Sequence, residues 1–145
     1  TLEEVFSESD FVSLHARLTK ENKGMIDARL INMMKPTAVF VNTSRSGLVD
    51  QDALVKALRE KRILGAALDV FDEEPLPSDS PYLELDNVTL TTHIAGTTAD
   101  ALGKSPYLLM NEMAKFLAGE DSRFIVNREV LENPAFKAWL EGVRK

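Results

Sequence analysis

The stretch G-A-A-L-D-V-F-D-E-E-P, residues 65–75, decides the fold of this chain. Its first four residues are small and apolar, and this composition predicts a short buried strand. Four carboxyl groups follow, and two of them stand at positions of interest: Asp69 where the strand should end, and Glu74 directly before Pro75. A buried strand that ends in acidic residues is typical of a site at the edge of a sheet.

Two neighbouring apolar runs also end in polar groups. Arg45 follows the predicted strand Ala38–Val41, and His93 follows the predicted strand Val88–Leu90. The carboxyl ends of parallel strands meet at one edge of a sheet, where open α/β folds bind their ligands. We therefore expect a guanidinium, a carboxylate and an imidazole to converge at this edge.

Helical patterns separate the predicted strands. Candidate N-cap residues at Thr1, Asp27 and Asp50 each precede a short amphipathic helix. The predicted strands are Phe11–Leu14, which we expect to be buried, Ala38–Val41, Ile63–Asp69 and Asn87–Leu90. This βαβ order predicts an α/β fold with a parallel sheet and right-handed crossovers. Four strands suit a partial doubly wound, Rossmann-like sheet that is flanked by helices and lacks its first βαβ unit.

The last third of the chain has a different pattern. Residues Thr98–Leu117 show helical spacing, and Pro106 implies that this helix either begins near Ser105 or is kinked at the proline. The run Phe124–Val126 is β-like, and Asn133–Lys145 has the apolar spacing of a final helix.

Composition excludes several classes of function. The 145 residues carry a formal net charge of −6, and this argues against a nucleic-acid partner, which would favour a basic face. The absence of cysteine excludes disulfides and thiolate metal sites, and we expect no bound metal. No apolar run approaches the roughly 20 residues of a membrane span, so we expect no membrane partner. A cysteine-free chain fits a reducing compartment, and the expected location is the cytoplasm.

The converging groups suggest one reaction. Histidine exchanges a proton near neutral pH, a carboxylate on its other nitrogen fixes the tautomer, and arginine grips a planar carboxylate. Together they suit hydride and proton transfer to a 2-oxo acid, with the hydride supplied by a cofactor. Simpler interpretations remain open: Arg45 as a surface charge, Asp69 as a turn cap, Glu74 as a solvated loop residue and His93 as a structural histidine.

The motifs resemble those of a known family. The chain from Thr1 to Leu131 is similar to the D-isomer-specific 2-hydroxyacid dehydrogenases, a group that includes phosphoglycerate, glycerate, hydroxypyruvate and D-lactate dehydrogenases. The resemblance is carried by S-D-F-V-S-L-H at 9–15, M-K-P-T-A-V-F-V-N at 34–42, N-T-S-R-S-G at 42–47, the stretch 65–76 and H-I-A-G at 93–96. It implies an oxidoreductase that interconverts a small D-2-hydroxy acid and a 2-oxo acid with NAD, while NADP is not excluded.

The resemblance also implies roles for single residues. His93 matches the general acid/base, Glu74 its carboxylate partner and Arg45 the group that binds the substrate carboxylate. Asp69 matches the family aspartate near the nicotinamide carboxamide. The implied cofactor-binding residues are His15, Ala16, Thr43, Ser44, Arg45, Asp69, His93 and Gly96.

Some positions depart from the family pattern. Arg17 and Thr92 stand where many members have proline, and Ser46 where many have glycine. The 145 residues contain no G-x-G-x-x-G motif. Because the chain starts inside a helical pattern, we expect a fragment of a longer enzyme. Residues 1–120 would form the C-terminal part of its dinucleotide-binding domain, and residues 121–145 would return to a substrate domain.

Two further expectations follow from the resemblance. The isolated fragment is expected to be catalytically inactive, and the full-length parent to be a homodimer. An NADH-sensing binding protein of the same fold, like the corepressors that resemble this family, remains the alternative function. Formate dehydrogenase is disfavoured, because that enzyme has glutamine where this chain has Glu74.

Overall fold

Four parallel strands form one sheet, and their register places all four carboxyl ends at the same level. The strands are β1 (Phe11–Leu14), β2 (Val39–Asn42), β3 (Gly65–Leu68) and β4 (Val88–Leu90), in the order β1-β2-β3-β4. The aligned last residues of the strands are Leu14, Asn42, Leu68 and Leu90. The predicted parallel α/β fold is therefore confirmed, and the loops after the strands begin side by side.

The computed structural model describes residues 1–144. Five α-helices accompany the sheet in that range: α1 (Leu2–Glu8), α2 (Ala28–Met33), α3 (Gln51–Arg59), α4 (Ala99–Leu117) and α5 (Pro134–Val143). The predicted caps of the first three are confirmed, because the side chains of Thr1, Asp27 and Asp50 each accept a hydrogen bond from a backbone N–H of the first turn. Such caps stabilise helices that are too short to persist alone.

The core lies between the sheet and helices α1 to α3. Phe40 of β2 is fully buried, and its ring centroid lies 6.5 Å from that of Phe6 on α1. The apolar faces of α2 and α3 bury Leu30, Leu54 and Leu58 against the same cluster. The core fixes the strands, and through them the loops at the carboxyl edge.

Two predictions about strands are wrong. The run Phe11–Leu14 is buried on one face only: β1 is an edge strand within residues 1–144, and Phe11 is 72% exposed. The run Phe124–Val126 forms turns rather than a strand, and Val126 is 95% exposed. Three β-branched or aromatic residues have strand propensity, but without a neighbouring strand to pair with they do not form one.

The chain divides into two units, Thr1–Gly96 and a second unit that begins at Thr97. The second unit contains α4, which runs unbroken through Pro106, so a start near Ser105 is wrong. The cap Thr98, which accepts from the N–H of Ala101, fixes the earlier start.

The large apolar side chains of α4 remain exposed. The helix has no buried residue, and its exposed apolar residues include Leu102, Tyr107, Leu108, Leu109, Met110 and Met113. An exposed apolar surface of this extent is typical of an interaction surface.

The final predicted helix is confirmed as α5, capped by Asn133, while Lys145 lies outside the described residues.

None of the helices among residues 1–144 combines the length and the apolar content that crossing a bilayer requires.

The packing of β3 against β4 leaves no room for a side chain at position 65. A Cβ on Gly65 would lie 2.6 Å from the backbone oxygen of Asn87, which accepts the N–H of Ala66 at 3.0 Å. We expect Gly65→Ala to lower the free energy of unfolding by about 1–3 kcal/mol, because the two strands must separate. Urea denaturation measures the change.

Gly103→Ala is the matched control for that substitution. Position 103 lies inside α4, and a Cβ there meets no atom within 4 Å. Alanine is the better helix former by about 1 kcal/mol, so this variant should be neutral or more stable. Equal losses in the two variants would contradict the proposed close approach of β3 and β4.

Candidate active site

A carboxylate and an imidazole meet after β3 and β4. Glu74 Oε2 lies 2.8 Å from His93 Nδ1, and Glu74 Oε1 accepts the backbone N–H of Phe71 at 3.0 Å. Both carboxylate oxygens therefore have a partner. When Nδ1 of His93 carries the proton it donates to Glu74, and Nε2 is left for another group.

The contacts of Glu74 favour its ionised form. The hydrogen bond with His93, followed by the hydrogen bond from the N–H of Phe71, holds the pKa of Glu74 below its ordinary range. The charge of Arg45 lowers the same pKa at longer range, so the guanidinium lies close enough to act on the pair. The result is a negative charge that faces the imidazole of His93.

Asp69 holds the loop that carries His93. The carboxyl group is 2% exposed and accepts hydrogen bonds from Thr91 Oγ1 and from the backbone N–H groups of Ile94 and Ala95, the latter two at 2.9 and 2.8 Å. Burial, the largest influence, raises the pKa of Asp69, but the hydrogen bonds together outweigh it and leave the pKa lowered. A buried carboxylate is thus kept ionised by the loop it fixes.

His93 has an unusual backbone conformation. Its φ of +60° falls in the left-handed region, which residues other than glycine seldom adopt. The two amides bound to Asp69 belong to the next two residues and support this conformation. Backbone strain of this kind is frequent at active sites, where the surrounding structure maintains it.

Arg45 is positioned by a second buried polar residue, Asn42. The side chain of Asn42, 2% exposed, donates to the backbone oxygen of Arg45 at 3.1 Å and accepts the N–H of Ser44 at 3.0 Å. The hydroxyl of Ser44 donates to the backbone oxygen of Ala16, which links the loops after β1 and β2. The guanidinium of Arg45 donates to the backbone oxygen of Ser44 at 2.6 Å and is otherwise exposed.

Two of the cavities at this edge of the sheet are lined by predicted site residues. One, of about 580 Å³, is lined by Glu74 and His93 together with mostly apolar side chains, and we call it the apolar cavity. The other, of about 290 Å³, is lined by His15, Ala16, Arg17, Leu18, Ser44 and Arg45, and we call it the basic cavity. No carboxylate lines the basic cavity, which therefore suits an anionic or electron-rich group.

The structure brings some of the predicted residues together and leaves others apart. Glu74 and His93 are in contact, whereas Arg45 lines the separate basic cavity and acts on Glu74 only through its charge. Three predicted cofactor-binding residues, His15, Ala16 and Ser44, also line the basic cavity. Thr43 and Gly96 are exposed and line neither cavity, and Asp69 has its oxygens engaged with the loop. The roles of all these residues stay predictions.

Two residues of the site, Asn42 and Thr91, are not predicted from the sequence. Both stand at the end of a strand, and Asn42 belongs to the quoted motif at 42–47. The signal in the sequence is the same as for Asp69: a polar residue at the end of an apolar run.

The residues present fit one part of a dinucleotide cofactor. The basic cavity lies at the carboxyl edge of the sheet, where such folds bind nucleotides, and its volume suits a single ring with its sugar rather than a whole dinucleotide. Residues 1–144 contain no cluster of three histidine, cysteine, aspartate or glutamate side chains that could hold a metal ion.

A parallel sheet with helical crossovers and polar groups at its carboxyl edge defines a Rossmann-like dinucleotide-binding fold. The model of the D-isomer specific 2-hydroxyacid dehydrogenase NAD-binding domain matches residues 1–95. The chain belongs to this family, as the resemblance predicted, and it is an NAD-binding domain for which NADP is not excluded.

Known proteins match most of this chain. The glyoxylate reductase of Korarchaeum cryptofilum is 45% identical over 131 residues, which are 90% of this chain and 40% of that protein. An acyclic imino acid reductase in complex with NADPH and D-Arg is 32% identical with a TM-score of 0.79, over 87% of this chain and 40% of that chain.

A structure with NAD bound shows the same similarity. The D-isomer specific 2-hydroxyacid dehydrogenase of Lactobacillus delbrueckii ssp. bulgaricus is 30% identical with a TM-score of 0.77, over 86% of this chain and 42% of that chain. The present chain thus spans about 40% of the length of the glyoxylate reductase that it matches.

If the hydrogen bonds of Asp69 hold the loop after β4, removing one of them should make that loop more mobile. In Asp69→Asn one acceptor becomes an NH2 group, so at least one donor loses its partner, at a cost of about 1–3 kcal/mol. We expect faster amide hydrogen exchange at Ile94 and Ala95. Asp79→Asn, an exposed change in the preceding loop, is the control. Unchanged exchange in Asp69→Asn would contradict the positioning role.

Because the pKa of Glu74 is lowered in the folded protein, the stability of the fold should depend on pH. Because the folded-state pKa is lowered, the stabilisation from ionised Glu74 is fully present above the ordinary carboxyl range and is lost as the pH falls through the lowered value. In His93→Gln the pKa of Glu74 should rise toward its ordinary range, as followed by NMR titration of the carboxyl carbon. His15→Gln, the other histidine, should leave that pKa unchanged, and an equal shift in both variants would count against the pair.

Proposed function

We propose that the protein containing these residues interconverts a D-2-hydroxy acid and a 2-oxo acid with NAD or NADP. The observation that carries this proposal is the 2.8 Å contact between Glu74 Oε2 and His93 Nδ1, beside an arginine whose charge reaches the same carboxylate. Family membership supports it, and glyoxylate reductases are among the matching relatives.

His93 is the proposed general acid in the direction of reduction. With Nδ1 donating to Glu74, Nε2 of the imidazolium gives its proton to the carbonyl oxygen as that oxygen gains charge. Bound NADH or NADPH supplies the hydride that C2 of the oxo acid accepts. The imidazole regains its proton from solvent, because the His93 side chain is 45% exposed. In the reverse direction neutral His93 takes the proton from the hydroxyl group.

Arg45 and Glu74 have separate proposed tasks. The Arg45 guanidinium binds the substrate carboxylate through two parallel hydrogen bonds and draws electrons from the adjacent carbonyl. Glu74 fixes the tautomer of His93 and stabilises the imidazolium. His15, Ala16 and Ser44 are the residues that we expect to lie near the nicotinamide part of the cofactor.

Other parts of the proposal concern the whole protein. Residues 1–120 would belong to the dinucleotide-binding domain, and residues 121–145 would return to a substrate domain. The full-length protein would be a cytoplasmic homodimer.

The roles of Arg45 and His93 can be tested by steady-state kinetics on the full-length protein. We expect NADH oxidation with glyoxylate, hydroxypyruvate or pyruvate, and His93→Gln should lower kcat by about 10²–10⁴-fold. Arg45→Gln should mainly raise the KM of the oxo acid, and Arg45→Lys should not restore it, because lysine lacks the planar fork. Arg29→Gln removes an exposed arginine that pairs with Glu3 and serves as the control.

The outcomes separate the two functions. Retained turnover in His93→Gln would discard the assigned roles. Tight binding of NADH without turnover of any oxo acid would instead favour the NADH-sensing binding protein.

A further inference from the structure

A buried hydrogen bond joins two of the segments that surround the site. The hydroxyl of Tyr82 donates to Gln51 Oε1 at 2.6 Å, across 31 positions of the chain. Tyr82 follows Glu74 in the segment between β3 and β4, and Gln51 is the first residue of α3, directly after the segment that carries Arg45. The contact therefore connects the part of the site that holds Glu74 with the part that holds Arg45.

The donors and acceptors of this hydrogen bond are fixed by their surroundings. Tyr82 is 6% exposed, and burial, followed by the charges of Asp72 and Asp52, raises the pKa of its hydroxyl, which therefore stays protonated and donates. Gln51 must then accept with Oε1, so its NH2 group faces the other way. That group donates to the backbone oxygen of Ser46 at 2.9 Å.

Gln51 holds one end of the segment that carries Arg45. The backbone oxygen of Ser46 accepts the N–H of Val49 at 2.9 Å and takes its second hydrogen bond from the Gln51 side chain. Asn42 binds the other end of the segment through the backbone oxygen of Arg45. Arg45 thus lies between two side-chain contacts, and the contact with Gln51 continues to the tyrosine.

Tyr82 also supports the residue that orients Glu74. The Tyr82 ring lies 6.2 Å from the ring of Phe71. The N–H of Phe71 donates to Glu74 Oε1 at 3.0 Å, and Oε2 of the same carboxylate lies 2.8 Å from His93 Nδ1. The contacts therefore form an unbroken series from the amide of Gln51 to the pair of Glu74 and His93.

Simpler roles explain less of this arrangement. Packing alone would be satisfied by phenylalanine at position 82, which has no buried hydroxyl in need of a partner. Another contact between the same segments, the ion pair of Arg59 and Glu84, has side chains 55% and 74% exposed. Such a pair contributes little to stability, and Arg59 lies at the opposite end of α3 from Gln51.

We propose that Gln51 and Tyr82 are positioning residues, whose hydrogen bond fixes the separation between Arg45 and the pair of Glu74 and His93. This inference rests on the proposed function, in which Arg45 holds the substrate carboxylate while His93 protonates the neighbouring carbonyl. Because these two groups of the substrate are joined by one bond, the protein must reach both at one spacing. A misplacement of about 1 Å in such a site can lower a rate by about 100-fold.

The first variant is Tyr82→Phe, which removes the hydroxyl and keeps the ring. In steady-state kinetics on the full-length protein with saturating NADH and glyoxylate, we expect kcat to fall by about tenfold. The KM of glyoxylate should change less, because Arg45 can still bind the carboxylate. Tyr107→Phe is the matched control: Tyr107, the other tyrosine of the chain, is 72% exposed, and its loss of a hydroxyl should leave kcat unchanged.

An apolar pair separates positioning from stability. Gln51→Met leaves the buried hydroxyl of Tyr82 without its acceptor, so the midpoint of urea denaturation should fall. The double variant Gln51→Met/Tyr82→Phe replaces both partners by apolar groups of similar shape, and its midpoint should return toward that of the wild type. Its kcat should stay low, because the backbone oxygen of Ser46 still lacks its side-chain donor.

The spacing can also be followed without turnover. The charge of Arg45 lowers the pKa of Glu74, so Arg45→Gln should raise that pKa, as measured by NMR titration of the carboxyl carbon in the full-length protein. The rise should be smaller in the double variant, because an Arg45 segment released from position 51 moves away from Glu74. In the Tyr107→Phe background the rise should be undiminished.

Recovery of kcat together with stability in the double variant would overturn the inference, since the hydrogen bond would then serve the fold alone. An undiminished effect of Arg45→Gln on the pKa of Glu74 in that variant would overturn it as well. If the wild type turns over no oxo acid, the proposed function fails, and the NMR titration still decides whether Gln51 and Tyr82 fix the spacing.

Discussion

The buried carboxylate of Asp69 is the group on which the arrangement of the site depends. It stands at the end of a central strand, and three hydrogen bonds from the loop after β4 converge on it. An unpaired charge at this depth would be strongly destabilising, so the loop must keep the conformation that satisfies it. That conformation includes the left-handed backbone of His93 and brings its imidazole to Glu74.

Asn42 holds the loop after β2 through side-chain hydrogen bonds to its backbone, as Asp69 holds the loop after β4. The two residues are neighbours across the sheet, and the N–H of Asp69 donates to the backbone oxygen of Asn42 at 3.0 Å. Each has a side chain 2% exposed that binds backbone groups of a following loop. The reactive groups themselves remain accessible to solvent. Rigidity thus comes from buried polar residues behind the site, while Arg45, Glu74 and His93 are exposed.

The two cavities at this edge of the sheet differ in the charge of their lining. Arg17 and Arg45 line the basic cavity, whereas no lysine or arginine lines the apolar cavity, which has His93 at its wall.

The sequence by itself determined the local structure. The helix caps and the spacing of apolar residues depend on interactions within a few positions of the chain. Such interactions can be predicted from the sequence, as they were for the caps Thr1, Asp27 and Asp50. The order of polar groups at the strand ends, and hence the family, was also available from motifs.

Tertiary structure alone decided the long-range partners. No pattern within the run Phe11–Leu14 tells whether another strand covers it, and β-propensity at Phe124–Val126 had no strand to pair with. The engagement of Asp69 with the 91–95 loop and the division of the site into two cavities follow from the register of four strands. Register places residues distant in sequence at the same level, and it is set by the packing of the whole core rather than by any segment.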